Sequence, residues 1–130
     1  MGTIEWLAEP EPHDYTAAES YLSLLMEPGQ AAATAGALRS AVPAHHAAKD
    51  ILRAAGLGLL PESDAEVSRD LKKVRKGRRL APVLLVRGRL GAGVALTVAD
   101  GYHRVCAAYH LDEDCVVPVR ITAAPRATAS

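Results

Sequence analysis

Apolar side chains recur at helical spacing through the first half of the chain and gather into short continuous runs in the second, a change of period that predicts helices first and strands later. Residues 1–13, broken by Pro10 and Pro12, read as an extended lead-in anchored by Trp6 and Leu7. Thr16 and Glu19 have capping-box spacing, and Ala18, Tyr21, Leu22 and Leu25 follow at helical intervals, so a first helix is expected from Thr16 to about Met26. Pro28 suits the first turn of a second helix. Its Ala-rich body from Gln30 to Ala41 lines up Ala31, Ala35, Leu38 and Val42 before Pro43 stops it.

Lys49 to Ala55 predicts a short helix with Ile51 and Leu52 buried and Gly56 just past its end. Ser63-Asp64-Ala65-Glu66 has capping-box spacing, and Val67, Leu71 and Val74 then fall at i, i+4 and i+7 along a helix that Gly77 ends. Pro82 to Val86 is a continuous apolar strand, and the glycines at 88, 91 and 93 turn it into a second, Val94 to Val98, as an antiparallel hairpin. A helix from Tyr102 to about Leu111 and a strand from Cys115 to Ile121 complete the pattern. Pro118 implies that this last strand lies at an edge or carries a local break in its ladder. His45 and His46 are adjacent, point different ways on either element, and are read as surface residues rather than a metal pair.

With 130 residues and 49% apolar side chains the chain fits one domain with a real core, built from Leu, Val and Ala because Phe is absent. The expected class is α+β, a small mixed or antiparallel sheet with packed helices. Residues 1–43 form a lead-in and helical hairpin packed on the core, 44–122 the core itself, and 123–130 a flexible tail. A lid or a homodimer surface is the alternative role for the hairpin. Net charge is zero but uneven: residues 1–66 carry ten acidic and three basic side chains, 67–130 five and twelve. The acidic half is therefore expected either to cover a basic face or to stay in solvent while the basic half meets an anion. Two cysteines make no disulfide framework, the N-terminus lacks a secretory pattern, and no apolar run nears the roughly 18 residues of a membrane span. A cytoplasmic protein with no membrane partner is expected.

The stretch with most chemistry is Val98 to Tyr109, where an apolar strand meets Asp100-Gly101-Tyr102-His103-Arg104 and a helix start. Free amides of the first helical turn, with His103 and Arg104, would face one small volume and favour an anion such as phosphate. Asp100 would either cap the helix or hold a metal ion beside that phosphate. A solvated arginine at an ordinary strand-turn-helix join is the plain alternative.

Asp100-Gly101-Tyr102-His103-Arg104 with Ala107-Ala108-Tyr109, preceded by Leu80-Ala81-Pro82-Val83-Leu84-Leu85-Val86 and followed by Val116-Val117-Pro118-Val119-Arg120-Ile121, resembles the core of the ParB/sulfiredoxin superfamily over roughly residues 47 to 121. The resemblance implies a nucleotide-binding fold, with a nucleotide of ATP or CTP type as ligand, magnesium (Mg2+) as a possible companion, and Gly101, His103 and Arg104 on phosphate. An enzyme of this kind would be a nucleotide phosphohydrolase or phosphotransferase. The ParB box Gly-Glu-Arg-Arg-x-Arg-Ala is matched at Gly101, Arg104 and Ala107 but not at Tyr102, His103 or Cys106, which implies fewer charges on the ligand. The sulfiredoxin motif Gly-Cys-His-Arg is matched at Gly101, His103 and Arg104, with Tyr102 at the nucleophile's position. A phenol with a pKa near 10 does not replace a thiolate, so sulfinic reductase activity is not expected. Cys106, one turn on, is expected to be buried and inert.

Arg69, Lys72, Lys73, Arg75, Lys76, Arg78 and Arg79 form a basic face on the helix before the first strand. Such a face is commonly just solvated, and without interleaved aromatics it would at most touch nucleic-acid phosphates in a non-specific, salt-sensitive way. Two further readings are thus carried beside nucleotide binding: a nucleic-acid-associated module using this face, and a protein-interaction scaffold that has lost its ligand.

Overall fold

Three of the helices begin where the sequence supplies side-chain acceptors for their free amides, and proline decides the first two. In a computed structural model of the chain, which describes residues 3–125, α1 spans Pro12–Leu22, four residues earlier than the apolar spacing suggests. Pro12 occupies the first turn, and Glu11 and Asp14 cap each other's backbone amides, so Thr16 lies inside the helix instead of at its start. α2 (Pro28–Ser40) repeats the device with Glu27 and Gln30. α3 (Ala48–Ala55) ends on Gly56 at φ +66°, and α4 (Ala65–Arg75) starts at Asp64, whose carboxylate accepts from the Glu66 and Val67 amides at 3.1 Å each. Asp64, not Ser63, is therefore the cap. α5 spans Tyr102–Leu111.

The strands β1 (Pro43–Ala47), β2 (Val83–Arg87), β3 (Thr97–Asp100) and β4 (Val116–Ala123) form one mixed sheet in the order β1-β4-β2-β3. β2 and β3 pair as an antiparallel hairpin as expected, but β3 starts at Thr97 instead of Val94, because Val94 is held in an isolated bridge to Arg89 that closes the loop; β4 runs parallel to β2 and antiparallel to β1. Pro118 does not make β4 an edge strand: β4 is interior. The proline is tolerated because pairing with β2 begins only at Val119, so at Pro118 the strand has β1 alone as a neighbour. β1 itself, Pro-Ala-His-His-Ala, carries no strand pattern. It is an edge strand whose His45 and His46 are exposed.

Alternation along β2 sends its side chains to two different layers. Val83 and Leu85 pack with Ile51, Val67, Leu71, Val105, Val117 and Val119 under α3, α4 and α5, while Leu84 and Val86 pack with Tyr15, Ala18, Leu22 and Leu38 under α1 and α2. The N-terminal hairpin is thus a layer of the core. The lead-in is tied down as well: Leu7 donates to the Leu80 carbonyl (2.8 Å), Leu80 to the Glu5 carbonyl (2.9 Å), and buried Arg120 on β4 to the Ala8 carbonyl (3.0 Å). No helix among the described residues is long and apolar enough to cross a membrane. The expected flexible tail, 123–130, is corrected at its start: Ala123 ends β4 opposite Arg87 and Ala124 packs against the α1–α2 layer, while residues 126–130 lie outside the described residues.

Candidate functional site

A single irregularity in the sheet builds the site. Leu85 pairs with Val98 but Leu84 pairs with Asp100, so Ala99 is an extra residue in β3 and the strand bulges there. Val98 faces the α5 layer, whereas Asp100, opposite Leu84, is turned toward α1. Gly101 follows at φ +107°, a conformation that side-chain-bearing residues rarely adopt. A Cβ at this position would lie 2.9 Å from both Arg104 Nη2 and Val83 Cγ2. The glycine is needed twice, for the turn and for the arginine that folds back over it.

Arg104 spends its charge inside the protein. Its Nη2 donates to Asp100 at 2.7 Å and its Nη1 lies 3.6 Å from Asp14 of α1, with the side chain 14% exposed and that of Asp14 7%. Through this pairing one acid of the N-terminal half meets a cation of the basic half, and α1 covers Arg104. Burial pushes the Asp100 carboxyl up to about 6; Arg104 opposes the shift and the neighbouring Asp14 carboxylate adds to it. Asp100 neither caps α5 nor joins a metal cluster. The cap residue is Gly101, and the described residues hold no group of three ligating side chains placed for a metal ion.

His103 goes elsewhere. Its Nε2 lies 4.0 Å from Asp64, the cap of α4, with the imidazole 44% exposed. The expectation that His103 and Arg104 converge on one small volume is therefore corrected: successive residues on a helix diverge by about 100°, and each finds its own carboxylate. The first turn of α5 receives no side-chain cap, so its leading amides have no side-chain acceptor. Tyr102 donates its hydroxyl to the Gly58 carbonyl and His110 Nε2 contacts the Leu60 carbonyl at 2.7 Å, so α5 holds the loop before α4 at two points. Cys106 is fully buried, and burial raises its thiol pKa.

Two carboxylates at the site escaped sequence reasoning. Asp14 is one; Asp70 on α4 is the other, 9% exposed, its pKa raised by burial and drawn back by the charges of Lys73, Arg104 and His103. Each occupies an apolar stripe, Asp14 with Ala18 and Leu22, Asp70 with Val67, Leu71 and Val74. A carboxylate inside such a stripe was the available signal.

The basic face is partly neutralised. Arg69 pairs with Glu66 at 3.0 Å and Lys73 is partly buried against Asp70, which leaves Lys72, Arg75, Lys76, Arg78 and Arg79 exposed around the end of α4. None of these five is in an ion pair among the described residues. Compared with family models, with curated proteins and with solved structures, the chain finds no match.

Proposed function

We propose that the chain is a ParB/sulfiredoxin-like domain that binds a nucleotide or related phosphate ligand at the turn between β3 and α5. The observation that carries this reading is the uncapped N-terminus of α5, whose first turn has amides without a side-chain acceptor and bears a part-exposed imidazole. Gly101 and His103 contact the phosphate. Arg104 acts as a positioning residue: it clamps Asp100 and Asp14 and fixes the turn from which the amides project. Because two carboxylates pair with this arginine, the seat carries little net positive charge and holds its ligand weakly. Proton uptake by Asp100 near pH 6 removes one negative charge, so binding strengthens as pH falls through that value.

A thermal-shift panel of nucleoside mono-, di- and triphosphates, with and without magnesium, tests the reading, because mass action ties a shift to binding. At least one nucleotide should raise the melting temperature at millimolar concentration. His103→Ala should abolish that shift while leaving the melting temperature of the free protein within about 2 °C, since surface changes cost within about 0.5 kcal/mol. Arg104→Ala should lower the free protein's melting temperature outright. A flat panel, or a shift untouched by His103→Ala, overturns the assignment.

The five unpaired cations around the end of α4 favour a second reading, contact with nucleic-acid phosphates. It requires that fluorescence anisotropy detect duplex or single-stranded DNA binding at low salt with a steep loss as salt rises, the slope falling by about one for each lysine or arginine removed. An absence of binding at low salt removes it.

A further inference from the structure

The far end of the sheet holds a cavity that the β3–α5 turn does not use. About 400 Å³ in volume, it opens between α3 and the loop that joins β2 to β3. That size lies within the range of small-molecule sites. Ile51, Leu85, Leu96 and Ile121 form its apolar walls. The polar side chains that line it are His46, Asp50 and Arg87, while Leu90 and Val94 line it from the loop.

The loop wall is built into the fold. Arg89 and Val94 exchange backbone hydrogen bonds at 2.8 and 3.0 Å, and Leu96 donates to the Ala54 carbonyl of α3 at 3.1 Å, which fixes the far foot of the loop. Gly88 permits this closure, because a Cβ there would collide with the Val94 carbonyl oxygen. The wall nonetheless leaves Leu90 97% exposed, an apolar side chain held in water beside an apolar hollow.

The charges at this cavity have one sign left over. Asp50 is paired with Arg53 at 3.0 Å, whereas Arg87 has no carboxylate within ion-pair distance among the described residues and lines the cavity together with His46. An apolar chamber with one free guanidinium is complementary to a molecule with an apolar body and a single carboxylate, which a guanidinium grips through two parallel N–H donors. We propose that this cavity is a binding site for a small apolar carboxylic acid, with Arg87 taking the carboxylate and Ile51, Leu85, Leu96 and Ile121 enclosing the hydrocarbon.

Decanoate and decanol share a chain and differ in the headgroup, so titrating each into the full chain while following methyl resonances separates the two parts of the claim. Decanoate should shift the methyls of Ile51, Leu85, Leu96 and Ile121. Arg87→Gln should weaken decanoate roughly tenfold, the scale of a lost charge-assisted hydrogen bond, and leave decanol unchanged. Ala54→Trp, at an exposed helical position on the rim, should fill the cavity and abolish both without lowering the melting temperature. Unmoved methyls at millimolar decanoate, or affinity indifferent to both variants, would overturn the proposal. So would sedimentation showing that free protein pairs through Leu90, since the hollow would then belong to a subunit contact.

Discussion

At the scale of single residues, Asp100 sets the electrostatics of the turn. Its carboxyl titrates near 6 in the folded chain against an ordinary 3.8. Between those values the folded state holds the proton and the unfolded state does not, so this group's contribution makes the protein less stable as pH rises from about 4 to about 6. Above 6 the loss is complete. Asp100→Asn removes the titration yet keeps an oxygen for Arg104 to donate to. The stability of the variant relative to the parent should therefore improve by about 1–3 kcal/mol between pH 4 and pH 7. Urea unfolding at several pH values measures this difference. A constant difference across the window would show that Asp100 is an ordinary, solvated carboxylate. The same residues show what a short motif conceals: Asp100, Gly101 and Arg104 are legible as a turn, but the sequence around them does not say that the guanidinium folds back over the glycine.

At the scale of elements, legibility follows from how much of each signal is local. α5 runs from Tyr102 to Leu111, just as its pattern suggests, because a turn glycine, an apolar stripe and an acidic stop are all contiguous. α3 is legible for the same reason through Gly56. α1 is misplaced by four residues since Glu11 and Pro12 compete with Thr16 for the start, and a proline in the first turn with reciprocal caps outweighs the spacing of Thr16 and Glu19. β1 is illegible: its five residues have no alternation, and it exists because β4, far along the chain, offers it a partner from Pro43 opposite Arg120 to Ala47 opposite Val116. The bulge at Ala99 is illegible too, yet it decides that Asp100 meets Asp14 on α1 instead of the α5 layer. The turn and helix of the candidate site could thus be read from residues 101 to 111, whereas the strand before them is displaced from Val94–Val98 to Thr97–Asp100 and the electrostatics came from Asp14 and Asp70, brought in by tertiary packing.

At the scale of the whole molecule, the sheet is covered on both faces, and the N-terminal hairpin belongs to the cooperative unit. Leu84 and Val86 are buried only because α1 and α2 lie over them, Asp14 reaches Arg104 from α1, and Arg120 reaches back to the Ala8 carbonyl. Removing residues 1–42 would uncover an apolar sheet face, strip Arg104 of one carboxylate and leave buried Arg120 without its acceptor. If the hairpin were an appendage, Leu22→Ala would have little effect on unfolding of the core. Because Leu22 and Leu38 are fully buried against the sheet, each change to alanine should instead cost about 2–5 kcal/mol. The loss should appear as one shifted transition by circular dichroism and by Trp6 fluorescence alike, since Trp6 packs on the opposite layer. The fragment 43–130 should show no cooperative melt at all. Two separated transitions in Leu22→Ala, with the Trp6 signal unmoved, would mean that the layers unfold independently.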